Sequence, residues 1–271
     1  MTETPLAEFD TSGLPATARL VRVESVASTN DLARDLVRDG AEDGTVVWAH
    51  QQSSGRGRQG RIWTSPPGNL YTTTILKPGC EIARWPEVSF MAALAVAEAV
   101  SGLVPGVNVQ LKWPNDVLVD DAKVSGILLE TVPDAGAILI GTGINVVSHP
   151  DNTPYPATHL AALAEQAPGD APTVGDAPSV GDAPSVGDAL EAYLGRLWAW
   201  RARWDKVGFN PIREGWRYRA RGLGEAIAVD LGEERIEGRF DDLDATGALI
   251  VALDGGGQRV ISAGDVIFRE G

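Results

Sequence analysis

Val107-Asn108-Val109-Gln110-Leu111-Lys112-Trp113-Pro114-Asn115-Asp116 alternates apolar and polar side chains with a period of two, then breaks at proline. That period puts Val107, Val109, Leu111 and Trp113 on one face of a strand and Asn108, Gln110 and Lys112 on the other. Lys112 therefore leaves the strand's end beside a turn. Residues 117–119 and 124–130 are further β-branched runs on either side of Asp120-Asp121, which reads as a hairpin. If the two runs pair, Lys123 arrives at the same end of the sheet as Lys112 and Asp116. Two lysines and a carboxylate around one pocket suit a phosphate and a magnesium ion.

Working outward, residues 46–49, 70–76 and 137–146 add strands of the same kind. Ser28-Thr29-Asn30-Asp31 precedes Leu32, Leu36 and Val37 and runs to Gly40, which is a cap, a face and a stop for a short helix. Trp85-Pro86 opens a second, nearly all-apolar helix extending to Val100. A large sheet carrying helices follows, of α/β (α+β) class. After Gly222 only short alternations remain, at 226–229, 236–243, 248–253 and 258–261, with Asp254-Gly255-Gly256-Gly257 as a turn. These predict a small β-barrel over 219–271 docked on a domain spanning 1–218. Residues 168–189 contain the repeat GDAPTV-GDAPSV-GDAPSV-GDA, which has little to bury and reads as a disordered insertion. Its flanks, 157–164 and the series Leu190, Tyr193, Leu194, Leu197, Trp198 and Trp204, recur at helical spacing.

The chain has 271 residues, of which 44% are hydrophobic and 22% charged, close to the globular average. Its 23 Lys and Arg against 37 Asp and Glu leave a net charge of −14. That charge repels phosphate backbones, so no nucleic-acid partner is expected. Cys80 is the only cysteine and cannot close an intramolecular disulfide; with just three histidines beside it, no structural zinc is expected. Glu3, Glu8 and Asp10 occupy an N-terminus without an apolar targeting core, and the apolar run 90–97 falls short of the ~18 residues a membrane helix needs. The expected location is the cytoplasm, with no membrane partner.

Against that acidity, residues 55–61 read Gly55-Arg56-Gly57-Arg58-Gln59-Gly60-Arg61, a local +3 that follows an apolar strand and precedes Trp63. Glycine lets backbone approach a phosphate, arginine forks grip its oxygens in pairs, and tryptophan offers a face to a flat ring. With no acid inside the run to balance it, the loop is expected to be mobile until an anion arrives. Gly141-Thr142-Gly143-Ile144-Asn145 ends another strand, but no dinucleotide or P-loop fingerprint accompanies it. Ser28 is open to two readings: a helix cap, or a polar group beside a ligand on the helix's free N–H groups.

Taken together, Ser28-Thr29-Asn30, Gly55-Arg56-Gly57-Arg58-Gln59-Gly60, Lys112-Trp113-Pro114-Asn115-Asp116, Lys123-Val124-Ser125-Gly126-Ile127-Leu128 and Gly143-Ile144-Asn145 resemble, in order and spacing, the biotin protein ligases. The resemblance covers about residues 20 to 271. It implies a catalytic domain related to class II aminoacyl-tRNA synthetases followed by an SH3-like barrel. It also implies an ATP-dependent ligase that makes biotinyl-5'-AMP with magnesium and passes the biotinyl group to a lysine of a biotin carboxyl carrier domain.

On that resemblance, Ser28, Thr29, Asn30, Gln52 and Gly126 belong to the biotin site, and Arg56, Gly57 and Arg58 to a loop closing over biotin and adenylate. Lys123 reaches the biotin carboxylate or the phosphate it joins. Arg56, Trp63, Lys112 and Asn145 serve ATP, with Trp63 and Asn145 at the adenine and Lys112 at the α-phosphate. Lys112, Arg58 and Asp116 are the catalytic set, Asp116 lying near the magnesium or the incoming amine. Only 27 residues precede Ser28, too few for the DNA-binding segment of repressor-type members, so repression is not expected. His159 stands where similar ligases often have serine. Two rivals remain: a lipoate or octanoate ligase or transferase of the same fold, and a non-catalytic biotin-sensing regulator.

Overall fold

A computed structural model describes residues 9–151, 153–166 and 183–268. Seven strands make one mixed sheet: β1 (Arg19–Val26), β2 (Thr45–Gln52), β3 (Leu70–Leu76), β4 (Val109–Lys112), β5 (Asp116–Val119), β6 (Ala122–Val132) and β7 (Ala137–Ile144), in the order β1-β2-β3-β7-β6-β5-β4. Only β1 and β2 run parallel. The period of two sends alternate residues to opposite faces. On β7, Ile138, Ile140 and Ile144 enter the main core, while Ala137 and Leu139 join a smaller cluster with Ala33 and Val37 of α1 (Thr29–Arg38).

The main-core face is covered by α2 (Glu87–Leu103), which packs on α4 (Val186–Val207) and α5 (Asn210–Tyr218), while Leu160 and Leu163 of α3 (Leu160–Gln166) join the same core. The segment Ile82–Leu103 is long and apolar enough in composition to cross a membrane, more than the run 90–97 alone suggested. Its packing is nevertheless that of a core helix, for Val88 and the residues from Met91 to Ala97 are 0–1% exposed. The opposite face carries α1, whose ten residues span roughly 15 Å. That length covers only part of the sheet and leaves the floor beyond its N-terminus bare.

After α5 the chain passes along the sheet edge: Leu111 N–H donates to Arg219 O and Arg221 N–H to Leu111 O, both at 2.8 Å, which pairs the outer side of β4. Five antiparallel strands follow, β8 (Ala226–Asp230), β9 (Arg235–Leu243), β10 (Leu249–Ala252), β11 (Gln258–Ile261) and β12 (Asp265–Phe268), ordered β11-β10-β9-β8-β12. Their inward residues, among them Ile227, Val229, Phe240 and Val251, merge with the main core. Trp113 Nε1–H donates to Gly247 O at 3.1 Å, fixing this module against the end of β4.

Three elements went unread in the sequence, β1, α5 and β12, and one expectation is corrected. Residues 186–189, assigned above to a disordered insertion, form the first turn of α4. Ser185 is its N-cap: Ser185 Oγ accepts from Asp188 N–H at 3.1 Å, and Asp188 Oδ2 accepts from Ser185 N–H at 2.8 Å. The Ser-x-x-Asp spacing inside the repeat is a capping box, a signal hidden by the low-complexity composition. Residues 169–182 of the repeat lie outside the described residues. Deleting 169–180 keeps Ser185, whereas deleting 169–186 removes it and joins Pro168 to Gly187. The longer deletion is expected to melt lower than the shorter by about 2–4 °C, the equivalent of ~1 kcal/mol of capping, as scanning calorimetry of the two proteins would show.

Candidate active site

The bare part of the sheet becomes the floor of a cavity of about 680 Å³. Its base is one row of cross-strand partners, Lys112 opposite Asp116, Asp116 opposite Gly126, and Gly126 opposite Gly143. The hairpin of β5 and β6 brings Lys123 to this row as expected, with Lys123 Nζ 2.7 Å from Asp116 Oδ1. Gly126 and Gly143 leave a patch without side chains, and the Trp63 indole lies across it. A Cβ on Gly143 would sit 2.5–2.7 Å from three indole atoms. Trp63 Nε1–H is buried there without a hydrogen-bond partner among the described residues.

At the other end of the floor Asn30 lies over Gly141. Ser28 occupies the N-cap position of α1, yet its side chain makes no capping hydrogen bond. The cap comes from β2 instead: Gln52 Oε1 accepts from Thr29 N–H at 2.9 Å and from Thr29 Oγ1–H at 3.1 Å. Gln52 Nε2 donates to Ser65 Oγ, Thr73 Oγ1–H to Asn30 Oδ1, and Asn30 Nδ2 to Glu130. Thr29, Asn30 and Gln52 thus hold one another, and the buried Ser28 hydroxyl faces the cavity with no protein partner among the described residues. Ser65, Thr73 and Glu130, none of them singled out in the sequence, complete this end.

The Arg-Gly loop closes on itself as a tight hairpin: Gly57 N–H donates to Arg61 O at 2.8 Å and Trp63 N–H to Gly55 O at 2.9 Å. Its arginines do not stand unbalanced. Arg56 Nη1 and Nη2 reach the two oxygens of Asp31 at 2.6 and 2.7 Å, and Nη2 lies 3.4 Å from Glu130. The Arg56 hydrogen bonds hold the Asp31 carboxyl below the usual carboxylate range. Arg58 Nη1 donates to Asn115 Oδ1 and Gly264 O, both at 3.3 Å, and lies 3.5 Å from Asp265, to which Arg61 also pairs. The expectation of a loop without balancing charge loses its premise, because each acid comes from a distant part of the chain. Asp265, from the C-terminal module, stands among the cavity-lining residues.

Lys112 is 7% exposed. Burial pulls its ammonium below the ordinary lysine range, and the charge of Asp116 opposes that pull. Asn145 donates from Nδ2 to Thr158 O at 3.0 Å, which leaves Oδ1 as an acceptor at the cavity wall. Asn69 Oδ1 holds the next turn, accepting from the amides of Val146, Val147 and Ser148. The strap from His149 to His159 is closed at its ends by a 2.7 Å contact between the two Nδ1 atoms. Among the described residues no group of three His, Cys, Asp or Glu side chains is placed to hold a metal, and Asp116 is occupied by Lys123.

Residues 23–145 match the Biotin/lipoate A/B protein ligase family and 222–269 the Biotin protein ligase C terminal domain. A biotin–[acetyl-CoA-carboxylase] ligase of Paracoccus denitrificans is 37% identical over 246 residues, covering 89% of this chain and 97% of that protein. One of Mycobacterium tuberculosis is 32% identical over 257 residues, covering 91% and 88%. The solved biotin protein ligase from Aquifex aeolicus in complex with biotin and ATP superposes with a TM-score of 0.76 at 27% identity, covering 93% of this chain and 99% of that one.

Proposed function

The chain belongs to the biotin/lipoate A/B protein ligase family, and from that premise we propose that it is an ATP-dependent biotin ligase whose acceptor is a lysine of a biotin carboxyl carrier domain. A biotin carboxylate oxygen attacks the α-phosphorus of ATP and pyrophosphate leaves. The acceptor's ε-amine then attacks the mixed-anhydride carbonyl and AMP leaves. The observation that carries this reading is the cationic row of the floor, Lys112 and Lys123 flanking Asp116, set under an arginine loop in a chain of net charge −14.

Two anions must meet in the first step, and a unit charge pair 4 Å apart repels by about 4 kcal/mol at an effective dielectric of 20. Lys112 at the α-phosphate, Lys123 at the biotin carboxylate and Arg58 above them supply the opposing field. The free Ser28 hydroxyl, beside the network of Thr29, Asn30 and Gln52, suits the polar head of biotin. The unpartnered Trp63 indole and the Asn145 carboxamide oxygen suit an adenine, by stacking and by accepting from its amine. Arg56, held by Asp31 and Glu130, anchors the loop. The floor residues do not fit a resident magnesium site, since Asp116 and Asp265 are both ion-paired; magnesium enters on the triphosphate, as part of the substrate. The paired carboxylate of Asp116 is then left to face the incoming amine.

Incubating the protein with ATP, magnesium and either biotin or lipoate tests this reading. Pyrophosphate is expected with biotin alone, and a carrier domain added to that mixture is expected to gain one biotinyl group by intact mass. Pyrophosphate with lipoate only would overturn the substrate, and with neither acid the reaction class.

A further inference from the structure

The ammonium of Lys112 is nearly enclosed, yet forms no hydrogen bond or ion pair among the described residues. What it meets is aromatic. Nζ lies 3.8 Å from the centroid of the Tyr155 ring and 5.6 Å from that of Phe268. Lys123 pairs with Asp116 at 2.7 Å and lies 5.3 Å from the Trp63 ring centroid, so a carboxylate holds one lysine of the floor while the other meets rings alone. The Tyr155 ring belongs to the strap between the histidines, and that strap is fixed by the neighbouring strand. Lys123 N–H donates to Pro156 O at 2.8 Å and Thr158 N–H donates to Lys123 O at 2.9 Å. Tyr155 is therefore held one residue from a backbone contact with the very strand that carries the second lysine.

We propose that Tyr155 is a positioning residue for adenylate formation, its ring holding the Lys112 ammonium in place ahead of the α-phosphate. The proposal rests on the reading of Lys112 as the partner of that phosphate. A carboxylate in the same place would bind the ammonium more strongly but would repel the triphosphate. The electron-rich face of an aromatic ring attracts the cation without adding a negative charge. It also uses one side of Nζ only, which leaves N–H donors for a phosphate oxygen. The ring favours the charged form of Lys112 against the pull of burial, while Asp116 and Asp265 favour it and Lys123 and Arg61 oppose it from the surrounding elements. Removing the ring lets the lysine lose its proton at lower pH.

The test compares Tyr155→Leu and Tyr155→Phe in biotin-dependent pyrophosphate release. Tyr155→Leu is expected to lower kcat/KM for ATP by about tenfold. Its KM for biotin and its Tm stay near those of the wild type, and the alkaline limb of the ATP profile moves down by about half a pH unit or more. Tyr155→Phe keeps the ring and is expected within about twofold of wild type; Tyr155→Met repeats the test should the leucine variant fail to fold. A phenylalanine variant as poor as the leucine one overturns the assignment, as does equal damage to biotin and ATP parameters with an unmoved alkaline limb. Wild-type protein that makes no biotinyl-AMP in the same assay overturns the ligase reading itself.

Discussion

Lys112→Ala is expected to cut adenylate formation by about a hundredfold or more while biotin still binds. The reason is where charge accumulates. As the carboxylate attacks, negative charge builds on the α-phosphoryl oxygens, and a preorganised donor removed at such a point costs on the order of 10²–10³ in rate. Lys112 is preorganised in this sense: it is buried, held by a ring, and ion-paired to no carboxylate among the described residues that would have to release it. Its position at the Asp116 end of the floor row is remote from Ser28 and the Thr29–Gln52 network, so the head group of biotin keeps its partners.

Lys123→Ala makes a contrasting comparison. It leaves the Asp116 carboxylate unpaired beside the incoming anion, so biotin affinity is expected to fall along with rate. Titration calorimetry with biotin and a pyrophosphate assay on both variants separate the two. Equal loss of biotin affinity in the two proteins would remove the distinction between a phosphate lysine and a carboxylate lysine.

The floor was legible in the sequence because it is built by local rules. The alternation over 107–113 put Lys112 opposite the core face of β4, and the Asp120-Asp121 turn, where both residues have positive φ, set the β5–β6 hairpin that brought Lys123 to Asp116. All seven residues of β3 are buried and flanked by Asn69 and Lys77-Pro78, so its bounds could be read directly. β1 escaped because Arg19, Arg22 and Glu24 interrupt its apolar residues, as an edge strand permits. The partners of the loop arginines could not be read at all. Asp31 lies 25 residues from Arg56, Glu130 lies 74 from it, and Asp265 lies 207 from Arg58, and no periodicity links them. Tyr155 was hidden for a related reason: it sits between Pro154 and Pro156, in a strap whose shape is set by pairing with Lys123 and not by its own pattern. Gln52 shows the same limit, since the serine in the cap position was visible and the glutamine that does the capping was 23 residues away.

Gly143→Ala is expected to damage the site more than its single added methyl suggests. Gly143 pairs with Gly126 across β7 and β6, and the two make the flat patch on which the Trp63 indole rests. A Cβ at Gly143 would come within 2.5–2.7 Å of Nε1, Cε2 and Cζ2, the rigid body of the indole, so the ring must leave the floor. Gly126→Ala meets the ring edge at 3.0 Å and otherwise the flexible end of Lys123 at 3.3 Å, which can give way. The backbone behind the ring is held, because Trp63 N–H is bound to Gly55 O and the loop between them is fixed through Arg56 and Arg58. The indole either turns off the glycine patch or takes the loop with it, and on the proposed reading both open the adenylate to water. For Gly143→Ala we expect a rise in KM for ATP of about tenfold or more, faster escape of biotinyl-AMP into solution, and a smaller change in both for Gly126→Ala. Because the damage passes through one ring, Trp63→Ala/Gly143→Ala should be no worse than Trp63→Ala alone, a non-additivity that sites acting independently do not show. KM for ATP and the adenylate release rate across the four proteins decide the matter, and additive losses in the double variant would show that Gly143 acts on the site by a route other than Trp63.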